Sequence, residues 1–177
     1  MMKAVVCSAF VLLFFSVKAK AQTQYEVYPD SVHKGFKVYK GILDKDVLLK
    51  DTSFHWYAEN QKYYTALPAA VDAIIKYKDS IELLVYMGTW CDDSHYIIPR
   101  LYKLTDASGF DSKKITLIGT DRYKKTFSHL SEALHVYNVP TIIVMKKGRE
   151  LGRIVEYGKY GLFDKELAEI LNTQATQ

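Results

Sequence analysis

Five consecutive residues combine types that could carry out chemistry: Trp90, Cys91, Asp92, Asp93 and Ser94. The run 81–87 before them is apolar apart from one glutamate, which is typical of a buried strand, and Gly88 and Thr89 interrupt it. From Cys91 onward the pattern indicates the first turn of a helix. The unpaired N–H groups and the dipole at a helix N-terminus favour a thiolate, the form of sulfur that attacks disulfides. The sequence therefore predicts that Cys91 is a nucleophile.

Two carboxylates follow the sulfur directly. In a first helical turn, acids such as Asp92 and Asp93 stabilise the helix by roughly 0.3–1 kcal/mol each through its dipole. They also repel a neighbouring thiolate, by roughly 0.7 kcal/mol per carboxylate at ~6 Å in a water-like medium. We therefore expect weaker thiolate stabilisation at Cys91 than the helix dipole alone would give. A plain capping and surface role for both acids stays equally open.

Ser94 and His95 follow Cys91 at three and four residues. At that spacing the Ser94 hydroxyl can lie near the sulfur and donate a hydrogen bond, but it cannot attack a mixed disulfide. A Cys-x-x-x-His pair could bind a soft metal if further ligands were close. The sequence does not place another histidine there, so we expect His95 to lie on the surface, with no metal and no cofactor.

The segment Trp90-Cys91-x-x-Ser94 resembles the thioredoxin-family motif Trp-Cys-x-x-Cys, with serine replacing the second cysteine. Val139-Pro140-Thr141 resembles the cis-proline segment of the same family and lies at the expected distance. The resemblance covers roughly residues 67–171. It implies an α/β, thioredoxin-like fold, in which a mixed central sheet has helices on both faces. We expect residues 22–66 to add an N-terminal β-hairpin and helix extension.

The resemblance also implies roles for individual residues. In the family, the backbone beside the cis-proline pairs with bound substrate, so Val139 and Pro140 are candidate substrate contacts, with Trp90 as an aromatic wall beside the sulfur. Relatives that reduce disulfides usually carry a buried acid six residues before the nucleophile, where this chain has Val85. With Ser94 replacing the resolving cysteine, ordinary dithiol cycling is unavailable. The resemblance then implies a monothiol route that needs an outside thiol.

The N-terminus has the composition of a secretory signal peptide. A basic start, an apolar stretch and an Ala-x-Ala site ending at Ala21 predict cleavage before Gln22 and a periplasmic or extracellular location. We expect residues 1–21 to be removed, 22–66 to form the extension and 67–177 to form the thioredoxin-like domain. Cys7 would leave with the signal peptide, so Cys91 would be the single thiol and no disulfide scaffold is expected.

The charge of the chain argues against polyanionic partners. The formal charge of +4 includes three signal-peptide lysines, and removing them leaves 21 basic against 20 acidic residues. We therefore expect no nucleic-acid binding and no stable membrane insertion. The expected partners are protein or small-molecule thiols and disulfides, and we expect a monomer.

The N-terminal elements are predicted from shorter patterns. Residues 22–34 are polar and mixed, which indicates a loosely held arm, and 36–50 contains apolar groups that suggest two short strands joined by a turn. Phe54, Tyr57 and Tyr64 have the spacing of a helix face with Ser53 as its N-cap. Core packing is the more common role of such an aromatic stripe.

The remaining elements follow the thioredoxin layout. We expect a helix from Pro68 to about residue 77 with Val71, Ile74 and Ile75 facing inward, and a helix running from Cys91 to about residue 105. The other predicted elements alternate in type: a strand at 81–87, a strand at 114–119, a helix at 127–137, strands at 141–145 and 151–155, and a helix at 162–171.

Three functions stay open from the sequence. The first is an exported thioredoxin-like protein that exchanges thiols and disulfides through Cys91 by a monothiol route, and it requires a reactive thiol. The second is a catalytically degenerate binding or chaperone-like module, whose function would survive Cys91→Ser. The third is a metal-binding protein that uses Cys91 and His95, and its metal would be lost in the same variant.

Overall fold

A six-stranded mixed sheet forms the centre of the protein. The computed structural model describes residues 24–174, so the predicted signal peptide and Cys7 lie outside the described residues. In spatial order the strands are β1-β2-β4-β3-β5-β6; β3 and β4 are parallel and the other neighbours are antiparallel. Their bounds are β1 Tyr25–Pro29, β2 Lys37–Leu43, β3 Glu82–Met87, β4 Ile115–Gly119, β5 Thr141–Lys146 and β6 Arg149–Val155.

Within residues 24–174, six α-helices connect and cover the strands: α1 Lys45–Lys50, α2 Trp56–Lys62, α3 Pro68–Tyr77, α4 Asp92–Ala107, α5 Leu130–Ala133 and α6 Phe163–Gln174. Two short 3₁₀ turns, Ser112–Lys114 and Phe127–His129, precede β4 and α5. The predicted pattern of strands and helices from residue 67 onward is confirmed in type and order, apart from the length of the helix at 127–137.

The strands bury side chains on both faces of the sheet. On β3, Leu83 and Val85 point into a large cluster that also contains residues of α3, α4 and α6. Tyr86, the next residue along the strand, points into a smaller cluster with Ile143 and Val139 on the opposite face. Trp90 and Cys91 pack against that smaller cluster. Helical segments thus lie on both faces of the sheet. Trp90 and Cys91 lie at the edge of the face that carries the smaller cluster.

The segment predicted to be a loose arm is instead part of the sheet. β1 pairs antiparallel with β2 along its whole length, and β2 pairs with β4, so the extension adds two strands at one edge. The second strand predicted within 36–50 is also wrong, because α1 occupies that place. The Asp44 carboxylate accepts a hydrogen bond from the Val47 N–H and caps the helix, and Leu48 alone of its residues is buried.

The aromatic segment that follows is core, as predicted. Phe54, Tyr57 and Tyr64 are all buried against the helices. The predicted N-cap is wrong, because the Ser53 hydroxyl donates to the Asp51 carboxylate (2.7 Å) and α2 begins only at Trp56. The Ser53 side chain therefore bonds to the nearby Asp51 carboxylate instead of capping the helix.

Two helical details also differ from prediction. Ile75 is 49% exposed, because α3 turns Ala70, Ala73 and Ile74 to the core instead. The helix expected at 127–137 shrinks to the single turn of α5. Ser128 and His135 adopt left-handed backbone conformations (φ 52° and 54°), which an α-helix cannot continue through.

The hairpin predicted between the last two strands is present. Lys147 and Gly148 form its two-residue turn, and both have positive φ (51° and 75°). That combination matches the twist of the two flanking strands. The turn places β6 beside β5, and β6 carries the chain to Tyr157 near the site described below.

Candidate functional site

Cys91 lies at the junction between the β3 turn and helix α4. It is the N-cap residue, with an extended backbone (φ −108°, ψ 121°), and the residue as a whole is partly exposed. Its N–H donates to the Gly88 carbonyl (3.0 Å) and its carbonyl accepts the first bond of the helix from His95 N–H (3.0 Å). The local strand, turn and helix predicted from the sequence are therefore present, and they place the sulfur at the positive end of a 16-residue helix.

The Val139-Pro140 segment approaches the sulfur from the loop before β5. The peptide bond between the two residues is cis. The Cys91 thiol donates to the Val139 carbonyl, with Sγ and oxygen 3.3 Å apart. Both Val139 and Pro140 are buried, and the Pro140 carbonyl accepts from the Glu156 N–H (2.7 Å). Two segments that are 48 residues apart in sequence therefore meet at the sulfur.

Ser94 is fully buried below Cys91. Its hydroxyl accepts a hydrogen bond from the Gly88 N–H (3.1 Å). The hydrogen bonds within residues 24–174 include none between Ser94 and the sulfur. Ser94 therefore ties the first turn of α4 to the end of β3, and so supports the turn that carries Trp90 and Cys91.

Trp90, next to Cys91 in sequence, has a firmly held side chain. Its indole N–H donates to the Thr120 carbonyl (3.0 Å), which anchors the ring to the segment after β4. The ring also lies tightly over Gly88, where an added Cβ would come within 2.6 Å of it. Any side chain at position 88 would therefore displace the indole.

Arg122 is a site residue that sequence reasoning missed. Its guanidinium lies 5.3 Å from the Trp90 ring. Nε and Nη2 donate to the two carboxylate oxygens of Asp30, each at 2.5 Å, and the Asp30 side chain has no solvent exposure. The guanidinium hydrogen bonds hold the pKa of the Asp30 carboxyl well below its usual range. They are also the main reason that the pKa of Arg122 is raised, and the charge of a Cys91 thiolate adds to this effect.

A signal for Arg122 was present in the sequence. Parallel strands end at the same edge of a sheet, so residues after β4 must lie beside the turn after β3. Arg122 follows the end of β4 by three residues. The Asp30 partner had no such signal, because it follows a strand that the sequence did not reveal.

The two acids after Cys91 differ in environment. The Asp92 side chain is fully exposed, and its Oδ1 is 3.5 Å from His95 Nδ1. Asp93 accepts a hydrogen bond from the Tyr157 hydroxyl (2.8 Å). Burial and this bond to Asp93 raise the pKa of Tyr157 to about 12. Asp93 therefore links the start of α4 to the chain that follows β6, which a plain surface role does not describe.

His95 is not the surface histidine that we expected. Its side chain is 12% exposed and stacks on Trp56, with ring centroids 4.3 Å apart and planes 13° from parallel. Nε2 lies 2.8 Å from the Thr89 carbonyl, so this nitrogen carries the proton and donates. Burial lowers the pKa of His95. Within residues 24–174 no group of three or more histidine, cysteine, aspartate or glutamate side chains could hold a metal ion.

The residue six positions before Cys91 is apolar. Val85 has no solvent exposure and lies in the large hydrophobic cluster, where a buried acid would stand in the reductases that the motif resembles. Glu82, the one acid on β3, is exposed at its start. A carboxylate is thus missing from this strand below Cys91.

Similarity to known proteins is partial. No protein-family model matches the chain. "Thioredoxin-2, mitochondrial" of Schizosaccharomyces pombe is 31% identical over 77 residues, which are 44% of this chain and 53% of that protein. The chain thus matches about half the length of this curated relative. A solved structure of a Pseudomonas aeruginosa protein of unknown function superposes with a TM-score of 0.50 at 16% identity, over 73% of this chain and 89% of the other.

These similarities agree with the architecture. The fold is thioredoxin-like, as predicted: a mixed sheet flanked by helices, with the N-terminal extension paired at one edge. The partial match to a thioredoxin supports a thioredoxin-like relationship. No helix within residues 24–174 has the length and apolar character needed to cross a membrane.

Proposed function

We propose that the protein exchanges thiols and disulfides through Cys91 by a monothiol route. The observation that carries this proposal is the partly exposed residue Cys91 at the N-cap of α4, whose sulfur lies 3.3 Å from the Val139 carbonyl. A lone cysteine used only for packing would normally be buried. The partial similarity to a thioredoxin supports redox chemistry of the thiol–disulfide class.

The exchange has two balanced steps. The Cys91 thiolate attacks one sulfur of a substrate disulfide; a Cys91–substrate disulfide forms, and the other substrate sulfur leaves as a thiolate that takes up a proton. An outside thiolate then attacks the substrate sulfur of this mixed disulfide and releases Cys91 as a thiolate. Ser94 has no sulfur to perform that second attack, so turnover depends on the outside thiol.

The substrate would lie across the surface around the sulfur. The Val139 carbonyl contacts the sulfur directly, and the Trp90 ring, the neighbour of Cys91 in sequence, is anchored by its own hydrogen bond to the Thr120 carbonyl. Asp92 and Asp93 flank it at the start of the helix. We propose these five residues, Trp90, Asp92, Asp93, Val139 and Pro140, as the substrate contacts.

A second candidate is a catalytically degenerate binding or chaperone-like module. Two observations favour it: Val85 leaves no acid on β3 below the sulfur, and the Ser94 hydroxyl is committed to Gly88. In this case the cis-proline segment would hold a peptide without turnover. A Cys91→Ser variant would then keep full function, whereas the exchange mechanism requires its loss.

We also propose that the protein acts outside the cytoplasm as a monomer. The basic and apolar composition of residues 1–21 supports export with removal of this segment. N-terminal sequencing of the protein recovered from the periplasm or medium should begin at Gln22. A mature protein that retains Met1 would contradict the proposal.

The mechanism can be tested by intact mass after incubation with oxidised glutathione. All variants carry Cys7→Ser, so that Cys91 is the single cysteine whether or not residues 1–21 are present. We expect one glutathione adduct on the chain with Cys91, none on Cys91→Ser, and its removal by added thiol. A sulfur that forms the adduct only in denaturant would refute exchange and favour the binding module.

A further inference from the structure

Arg100, on the exposed side of α4, carries a charge that no acid neutralises. Its guanidinium carbon lies 3.3 Å from the centre of the Tyr96 ring and 5.7 Å from that of Tyr64. The ion pairs and hydrogen bonds within residues 24–174 include none to this guanidinium, and Nε is buried without a hydrogen-bond partner. One face of the guanidinium therefore rests on an aromatic ring while its N–H groups lack a protein acceptor.

The guanidinium lines a pocket of about 290 Å³ between α4 and the start of α6. Aromatic and aliphatic side chains make up most of its wall, and several of them are exposed to solvent: Tyr63, Leu67, Tyr96 and Leu162. Asp164 also lines the pocket, but its carboxylate accepts hydrogen bonds from the Tyr64 hydroxyl (2.9 Å) and the Leu67 N–H (3.2 Å). The pocket thus combines an apolar wall with the Arg100 guanidinium, which has no ion-pair partner within residues 24–174, and with the largely buried Asp164 carboxylate, which is held by neutral donors.

A continuous row of side chains joins this pocket to the nucleophile. Tyr96 packs against Tyr157 with ring centroids 5.3 Å apart, and the Tyr157 hydroxyl donates to Asp93 at the start of the helix. Arg100 follows Cys91 by nine residues, about two and a half turns of helix, so the two positions are about 13 Å apart along the helix axis and about half a turn apart around it. An extended peptide that follows the row of Asp93, Tyr157 and Tyr96 needs at least about four residues, at ~3.3 Å each, to cover the axial part of this path.

We propose that this pocket binds the side-chain carboxylate of a glutamate or aspartate in a polypeptide substrate, about four residues from the cysteine that Cys91 attacks. The proposal rests on the exchange function above and adds a substrate class to it. A planar guanidinium stacked on one ring still presents N–H groups at its edge, which suit the two oxygens of a carboxylate. The aromatic side chains around the guanidinium are partly exposed, so they lower the local polarity only in part and leave the bond of moderate strength.

The distance between the substrate's cysteine and its acidic residue matters because two acids, Asp92 and Asp93, directly follow Cys91. An acidic substrate residue directly beside the attacked cysteine would be repelled by Asp92 and Asp93. An acidic residue about four residues from that cysteine can instead contact Arg100, and it lies farther from the two carboxylates. The arrangement therefore selects for the position of the acid as well as for its presence.

The test uses peptides in which one cysteine is activated as a mixed disulfide with 2-thiopyridine. A glutamate, or a glutamine of the same shape, stands four residues before or after that cysteine. Release of pyridine-2-thione gives the second-order rate with the full chain carrying Cys7→Ser. For one of the two placements we expect the glutamate peptide to react roughly 5- to 10-fold faster, as one partly exposed charge-assisted hydrogen bond allows.

Three variants isolate the cation. Arg100→Gln should bring the glutamate-to-glutamine ratio to about one, and Arg100→Lys should give an intermediate ratio because it keeps the charge without the planar fork. Arg149→Gln, an exposed arginine on the distant β5–β6 hairpin, removes the same charge and should keep the ratio. Dipyridyl disulfide, which carries no carboxylate, should react equally with all three variants and shows that Cys91 and the fold are intact.

Each outcome decides between the two proposals. A ratio near one for both placements, or a ratio that survives in Arg100→Gln, overturns the pocket and leaves exchange standing. A Cys91 that ignores dipyridyl disulfide overturns exchange instead. In that case the pocket is tested by nuclear magnetic resonance on Cys91→Ala, with serine replacing cysteine in the peptides. Shifts at Arg100 and Tyr96 with the glutamate peptide alone support it, and their absence overturns it.

Discussion

The buried Asp30 carboxylate accepts two hydrogen bonds of 2.5 Å from the Arg122 guanidinium, although 92 residues separate the two in sequence. The same guanidinium lies over Trp90, the neighbour of the candidate nucleophile. The extension that precedes the thioredoxin-like part of the chain is therefore connected to the site by a chain of direct contacts.

Asp30→Asn should lower the free energy of unfolding by roughly 2 kcal/mol, because it leaves the Arg122 charge partly buried without its carboxylate. Urea unfolding followed by circular dichroism measures the change. Asp46→Asn is the matched control, since its ion pair with Lys50 is exposed on both sides, and it should change little. If the two substitutions lower the free energy of unfolding equally, the Asp30–Arg122 ion pair stabilises the fold no more than an exposed ion pair does.

Acidification should destabilise the protein through His95. Burial lowers the pKa of this side chain in the folded state, so below its ordinary value near 6.5 the unfolded chain binds more protons than the folded chain. The stability is fully present above about pH 6.5 and falls as the pH drops below it. Urea midpoints at pH 7.5 and 5.5 should show this loss in wild type and a smaller loss in His95→Gln. Parallel losses would place the titrating group elsewhere.

Ser94→Ala should destabilise the turn that carries Cys91. The substitution leaves the Gly88 N–H without its acceptor in a fully buried position, which costs about 1–3 kcal/mol. The free energy of unfolding gives this cost directly. Ser108→Ala is a suitable comparison, since that hydroxyl is a buried donor to the Thr105 carbonyl and its loss strands no N–H group. If Ser94→Ala is as stable as wild type, the bond is dispensable.

Ser94→Cys should convert the monothiol into a dithiol. A second sulfur three residues along the helix can attack a mixed disulfide at Cys91 and release the glutathione. In the Cys7→Ser background, intact mass after oxidised glutathione should show a loss of two hydrogens and no lasting adduct, whereas Ser94 chains keep the adduct. A persistent adduct on the variant would mean that the new sulfur cannot reach Cys91.

Sequence patterns were strongest where one element follows another directly. The apolar run of β3, the glycine turn and the helix start at Cys91 are local features, and the structure shows all three as predicted. The hairpin between β5 and β6 is equally local. The predictions of secondary structure failed in the N-terminal segments, where short apolar stretches were compatible with more than one kind of element. The Asp44 side chain caps a helix where a strand was predicted. β1 is a largely exposed edge strand, and its only sheet partner among the described residues is β2.

The sequence alone predicted that Cys91 stands at a helix N-terminus, that Ser94 occupies the place of the second cysteine of the motif it resembles, and that a proline segment lies at the expected distance. The tertiary structure determined the contacts of these residues. The Val139 carbonyl accepts a hydrogen bond from the Cys91 thiol, and the Ser94 hydroxyl accepts one from the Gly88 N–H. His95 stacks on Trp56, and Asp30 forms an ion pair with Arg122. These contacts depend on how the sheet and helices pack, and mostly join residues far apart in the chain. Local spacing carries no information about such pairs, because packing energy selects them only when the whole sheet is assembled.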